Sequence, residues 1–164
     1  MKIGIISDTH DHQEHVLAAI NIFNEFDLDY VLHAGDFVSP FTVRTFAQLK
    51  SAKLIAVFGN NEGKRQMIRE IVADFDGEIF DTDYRGTLNG KKIYMIHTPH
   101  YIHEIVDSNQ YDLVIYGHTH RQDIHRRENT LVINPGECTD WVTGLSHVVI
   151  LDLDNMSYES IPLN

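Results

Sequence analysis

The sequence predicts an α/β fold in which two mixed β-sheets pack face to face with helices outside. Three observations carry that expectation. The first half alternates short apolar runs with segments of helical period, the β-α-β-α-β-α signature of a parallel sheet. The second half exchanges long helices for hairpin signals, so antiparallel strands follow the parallel ones. Five apolar runs also end in Asp, Asn or His, which suit a ligand-binding sheet edge better than a core. No linker-like stretch interrupts the chain, so residues 1–164 read as one domain.

The first run, Ile3-Gly4-Ile5-Ile6, ends in Ser7-Asp8-Thr9-His10. A strand buried on both faces reads as a continuous apolar run, and its C-terminal end opens on the crevice of an α/β sheet. Asp11-His12-Gln13-Glu14 predicts a helix start with Asp11 as N-cap and Glu14 at the capping-box position. Val16, Ala19, Ile20 and Phe23 then recur at the spacing of an amphipathic helix laid on a sheet. Tyr30–His33 is a strand running into Gly35-Asp36. Ser39-Pro40 reads as an N-cap followed by Pro at the first helical position, starting a helix to about Leu49. Lys53–Phe58 is the third strand and ends in Gly59-Asn60-Asn61-Glu62. From Gly63 a third helix carries Ile68, Ile71, Val72 and Phe75 on one face.

In the second half, Tyr84–Leu88 and Lys92–His97 flank Asn89-Gly90, a strong hairpin signal. A short helix over Ile102–Asp107 leads to a strand, Leu113–Tyr116, that ends in Gly117-His118-Thr119-His120. Asp123–Arg127 and Leu131–Asn134 pair around Glu128-Asn129. Asn134-Pro135-Gly136 is a tight turn with Pro and Gly at its centre, and needs no chemistry to explain it. Val148–Leu153 and Met156–Ile161 pair around Asp154-Asn155.

Composition narrows the function. With 164 residues and 43% hydrophobic content the chain can bury a full core. Its formal charge of −11 repels polyanions, which disfavours long nucleic acid or a phospholipid surface as partner. Two divalent cations would offset part of that charge. No apolar stretch approaches membrane-spanning length, and Ile3–Ile6 is too short for a signal-peptide core. Cys138 is the lone cysteine, so neither an intramolecular disulfide nor a Cys-based zinc site can form, and a cytoplasmic location is expected.

The strand-end residues Asp8, His10, Asp36, Asn60, His97, His118 and His120 offer oxygen and nitrogen donors without sulfur. That set suits Mn²⁺, Fe²⁺, Co²⁺, Ni²⁺ or Zn²⁺ better than Cu(I) or an iron–sulfur cluster. Seven donors exceed one tetrahedral centre, and a carboxylate bridge would let two ions share them. The remaining histidines have plainer readings. His12 and His15 cap or decorate the first helix, His33 is a hydrogen-bonded packing residue or a support for a ligand, and His125 and His147 are structural. His100 and His103 follow His97 closely enough to line the site.

Taken in order, Asp8-Thr9-His10, Gly35-Asp36, Gly59-Asn60-Asn61-Glu62, His97 and Gly117-His118-Thr119-His120 resemble the calcineurin-like metallophosphoesterase superfamily. The short length and the Asn134-Pro135-Gly136 turn are similar to its small prokaryotic phosphodiesterase branch. The resemblance spans essentially the whole chain and implies a four-layer α-β-β-α sandwich with a dimetal site at the strand ends. It implies that Asp8, His10, Asp36 and His120 hold one ion and that Asp36, Asn60, His97 and His118 hold the other, Asp36 bridging. Asn61 stands where many members carry a His that acts on the leaving group, and Thr98-Pro99 stands where Gly commonly follows the His matched by His97.

The activity so implied is hydrolysis of a small phosphoester, preferentially a diester, by in-line attack of a hydroxide that two ions supply at neutral pH. Asn61 is the candidate donor to a phosphate oxygen and His100 the candidate outer-sphere acid. A non-catalytic scaffold on the same fold, similar to the retromer subunit of this superfamily, is the alternative; loss of donors would favour it, and none is lost. No Gly-rich G-x-G-x-x-G or Walker loop supports a nucleotide-binding domain of the usual kind.

Overall fold

Alternate residues of the buried strands face two different cores, and that alternation sets the layers. In the computed structural model, which describes residues 1–163, Ile3 and Ile5 of β1 (Lys2–Ile6) enter one core while Ile6 enters another. β2 (Tyr30–His33) and β3 (Lys53–Val57) repeat the split, with Leu32, Ile55 and Val57 on one side and Val31, Leu54 and Ala56 on the other. A period of two on a strand covered on both faces gives this result directly.

The outer core of this sheet is closed by α1 (Gln13–Glu25), α2 (Pro40–Thr45) and α3 (Arg65–Asp74), through Val16, Ala19, Ile20, Phe23, Val43, Ile68, Ile71 and Val72. With β4 (Glu78–Phe80), β10 (His147–Asp152) and β11 (Ser157–Pro162) the sheet has six strands, in the order β11-β10-β1-β2-β3-β4. β1 to β4 are parallel, β10 is antiparallel to β1, and β11 is antiparallel to β10.

The second sheet joins β5 (Asp83–Leu88), β6 (Lys91–Ile96), β7 (Leu113–Ile115), β9 (Thr130–Asn134) and β8 (Asp123–Arg127) in that spatial order. β6, β7 and β9 run parallel, and β5 and β8 are the antiparallel edges. Ile93, Met95, Leu113, Ile115, Leu131 and Ile133 meet the first sheet in the shared core. Tyr94, Val114 and Val132 face the other way, under Ile102 and Val106 of α4 (Ile102–Asp107). The layers are therefore helix, sheet, sheet, helix, as expected. No helix among the described residues is long and apolar enough to cross a membrane.

Three local differences from the sequence reading have clear causes. His12, not Asp11, caps α1: its side chain accepts from His15 N at 3.3 Å. Asp11 instead accepts from Ser39 N and Oγ and from Thr42 Oγ1, tying the start of α1 to α2. The second helix stops at Thr45, and a 3₁₀ turn, Phe46–Gln48, completes the segment. β4 is not legible in the sequence, because one exposed and two half-buried residues after a turn carry too little periodicity to read.

Candidate metal centre

Five of the parallel strands, three in one sheet and two in the other, are followed by the polar residues that meet at one edge of the sandwich. Asp8 and His10 follow β1, Asp36 follows β2, Asn60 follows β3, His97 follows β6, and His118 and His120 follow β7. The two sheets are laced together at this edge. His118 N donates to both Asp8 carboxylate oxygens at 3.0 and 3.3 Å, and Cys138 N donates to Ser7 O at 3.0 Å. His97 Nδ1 donates to Ala34 O at 2.8 Å.

Tight turns are needed to aim these side chains inward. Asp8, His10, Asp36, His118 and His120 all have positive φ, between 36° and 69°. Such a conformation costs roughly 1–3 kcal/mol at a non-glycine residue and persists where the surroundings over-determine it. Close packing is part of that surrounding: a Cβ on Gly59 would collide with Asp36, and one on Gly117 with Ser7 and Asp8. Buried His33 adds to it. Burial holds its pKa well below the ordinary value, so the ring is neutral. Its Nδ1 accepts from Gly35 N at 3.0 Å, its Nε2 faces Thr9 Oγ1 at 3.2 Å, and Thr9 Oγ1 donates to Asp36 O.

The donors form two touching clusters. Asp8, His10 and His120 make one group able to hold an ion, and Asp8, Asp36 and His97 make another. His10 Nε2 lies 3.2 Å from His120 Nε2, and His120 Nε2 lies 3.5 Å from Asp8 Oδ1. Asn60 Oδ1 lies 3.0 Å from His97 Nε2 and 2.8 Å from His118 Nδ1. Ligand bonds of ~2.0–2.2 Å place neighbouring donors of one ion ~3–3.5 Å apart, so these spacings fit cations.

The lone pairs fit as well. With Nδ1–H donated to Ala34 O, His97 turns an unprotonated Nε2 toward Asp36 Oδ2 at 3.3 Å and Asn60 Oδ1. Three acceptors then converge, an arrangement that a cation relieves. Electrostatics point the same way. The pKa of His10 is raised chiefly by Asp8, and that of His97 is raised because Asp36 and Asp8 outweigh its burial. Burial works against the charge on Asp36, but the adjacent His97 ring and the hydrogen bonds from Asn61 hold its carboxyl well below the usual range. The cleft is short of positive charge.

Two expectations are modified. Asn61 donates its amide to Asp36 Oδ2 at 2.7 Å and its backbone N–H to Oδ1 at 3.0 Å, so it orients the carboxylate. His103 lines a separate cleft with Tyr116 and Asp123, away from the donors. His100 is exposed and lines a cleft of about 210 Å³ beside Asn60 and His97.

Sequence reading missed Glu137 altogether. Its fully buried carboxylate accepts from His120 Nδ1 at 2.9 Å, from Thr143 N at 2.7 Å, from Val142 N at 3.1 Å, and from the Thr139 and Thr143 hydroxyls. Burial opposes its charge, yet the hydrogen bonds from His120, Thr139 and Thr143 pull its pKa down to about 2. Asn134 was read as a turn residue only; its amide also donates to Gly117 O at 3.1 Å and Thr119 Oγ1 at 2.9 Å, fixing the loop that carries His118 and His120.

Glu137→Ala should lower the melting temperature by roughly 6–12 °C at neutral pH, since several buried donors lose their acceptor at ~1–3 kcal/mol each. Because the folded pKa lies below the ordinary value of 4.5, the charge contribution is complete above that pH and is lost as the pH falls toward about 2. Melting curves across that range should show the gap between wild type and variant narrowing in acid.

The sequence profile of the calcineurin-like phosphoesterase superfamily domain matches residues 1–156. The chain is 41% identical over 166 residues to phosphodiesterase MJ0936 of Methanocaldococcus jannaschii, with 99% of both chains covered. A solved archaeal phosphodiesterase superposes with a TM-score of 0.94 at 39% identity, over 99% of each chain. Yfce, a phosphoesterase from E. coli, superposes with a TM-score of 0.73 over 100% of both chains; at 18% identity that likeness is one of fold alone.

Proposed function

Because this chain belongs to the calcineurin-like phosphoesterase superfamily, we propose that it is a phosphodiesterase working with two divalent cations. One observation carries the two-cation reading: Asp36 Oδ2 lies 3.4 Å from His10 Nε2 and 3.3 Å from His97 Nε2. A single carboxylate oxygen thus stands between the two donor clusters. On this reading Asp8, His10, Asp36 and His120 hold one cation, and Asp36, Asn60, His97 and His118 hold the other. The donor chemistry suits Mn²⁺, Ni²⁺, Fe²⁺, Co²⁺ or Zn²⁺. When bound, such a pair supplies Lewis acidity and an activated water nucleophile at neutral pH.

The chain's own residues do the rest by positioning. Ser7 donates to Asp8 Oδ2 at 2.6 Å, and Asn61 holds both oxygens of Asp36. Glu137 and Ala34 O take the Nδ1 protons of His120 and His97, which fixes each ring and turns its Nε2 lone pair inward. Such fixed donors cost little reorganisation when charge develops on the phosphorus oxygens. A proton for the leaving oxygen is assigned to His100, from the cleft it shares with Asn60 and His97. The substrate is a small phosphoester met in the cytoplasm, consistent with a chain charge of −11 and a buried lone Cys138.

Chelation should abolish hydrolysis of bis(p-nitrophenyl) phosphate, and Mn²⁺ or Ni²⁺ should restore it. Protein that carries both cations yet cleaves neither mono- nor diesters would instead be a scaffold, and the phosphodiesterase reading would be wrong.

A further inference from the structure

We infer that Trp141 and its loop form the wall against which a planar aromatic substituent of the phosphodiester, a nucleobase or an aryl ring, is held. This rests on the phosphodiesterase reading and names the substrate class for that site. Trp141, Val142 and Leu145 are 64%, 64% and 59% exposed, three large apolar side chains within five residues. Single exposed apolar residues are ordinary, but a cluster beside a polar site marks a contact surface. Here the cluster borders the donors directly. The Trp141 ring centroid lies 6.5 Å from that of His10 and 5.7 Å from that of His12. The His10 ring is in turn stacked on His120 at 4.9 Å.

The loop is a built wall and not a loose strap. Glu137 accepts from Val142 N, Thr143 N and Thr143 Oγ1 while also holding His120, so one carboxylate fixes both a candidate ligand and the loop bearing Trp141. Gly144 N closes the turn on Asp140 O at 3.0 Å. At the base, His15 Nδ1 donates to Cys138 O at 2.8 Å, anchoring the segment to α1. A rigid aromatic surface loses little entropy on contact, which favours planar ligands.

The loop's other side supplies room and charge. A cleft of about 470 Å³ runs from His120 past Arg121 and Gln122 to Val142 and Leu145. That is within the range of small-ligand pockets, which combine apolar walls with a few polar groups. Arg121 gives the cleft a cation next to the donors, in a chain of net charge −11, where a phosphate oxygen would be neutralised. A diester seated at the donors thus has an aromatic face at His10 and a mixed apolar and cationic cleft at His120. A small alkyl ester would leave this wall untouched.

Trp141 is the chain's one tryptophan, so its emission reports the wall without labelling. Metal-loaded protein should show saturable quenching by adenosine 5′-monophosphate and by phenyl phosphate, but little by ribose 5-phosphate or inorganic phosphate. Stronger quenching by the nucleotide would identify a nucleobase site, and stronger quenching by phenyl phosphate an aryl site. Kinetically, Trp141→Ala should raise KM about ten-fold for p-nitrophenyl thymidine 5′-phosphate and leave kcat little altered, as loss of one stacking contact predicts. A nucleobase site predicts that the preference for that substrate over methyl p-nitrophenyl phosphate falls with it, an aryl site that KM rises for both alike, and in either case Trp141→Phe should restore most of the loss. If ribose 5-phosphate quenches as well as the nucleotide, or Trp141→Ala leaves KM for both diesters at its wild-type value while they are still cleaved, the wall is not a substrate contact. Loaded protein that cleaves no diester overturns the premise, and the substrate assignment with it.

Discussion

Replacing Asp36 by Asn should reduce diester hydrolysis by more than ~100-fold and remove one of the two bound cations. Changes to groups that merely orient a ligand commonly cost ~10–100-fold in metal affinity or activity, and loss of a shared ligand should exceed that. The effect follows from position. Asp36 is only 1% exposed, and its Oδ2 faces a histidine of each cluster at 3.4 and 3.3 Å. An amide there keeps the shape and loses the negative charge that allows two cations to sit close together. Metal analysis on dialysed protein should fall from two equivalents to about one or fewer. Melting temperature separates this from misfolding. A site filled at a hundred times its Kd adds about 2.7 kcal/mol of stability, so wild type should gain about twice what the variant gains on metal addition. The metal-free proteins should melt within a few degrees of each other. A variant that keeps two tightly held ions and wild-type turnover would falsify the shared-carboxylate assignment.

The architecture was legible because the strands that build the site are buried on both faces, and such strands read as apolar runs. Ile3–Ile6, Tyr30–His33 and Leu113–Tyr116 each run into a polar stretch, which points to the strand ends as the place for a site. What could not be read was whatever depends on chain closure. Glu137 lies 17 residues from His120, after an unremarkable turn, and its role appears only when the 137–143 segment folds back over the donors. Asp11 was misread because capping statistics see only local sequence, while Ser39 and Thr42 compete for its carboxylate from 28 and 31 residues away. Asn61 adjoins Asn60 in the sequence, but its partner is set by the approach of Asp36 across β2 and β3. The positive φ of five donor residues is likewise invisible in sequence, since Asp and His tolerate it without advertising it.

Turnover should also depend steeply on the leaving group. A phosphodiester departs as an alkoxide or phenoxide, and the more basic that oxygen the more it needs a proton. General-acid catalysis typically contributes about 10²–10⁴-fold, so a site poor in acids should favour aryl over alkyl esters by that order. Asn61 offers no proton, and its amide is already committed to Asp36 Oδ2 at 2.7 Å. His100 is the remaining candidate, exposed at the cleft that holds Asn60 and His97. His100→Ala should therefore slow alkyl esters by about 100-fold or more while harming aryl esters far less, and so steepen the plot of log rate against leaving-group pKa. Asn61→His should flatten that plot, because the backbone N–H at this position still holds Asp36 Oδ1 while the new imidazole can serve as acid. The two substitutions thus push the slope in opposite directions, which a change in stability alone would not do. A shallow slope in wild type that survives His100→Ala would show that a different group protonates the leaving oxygen.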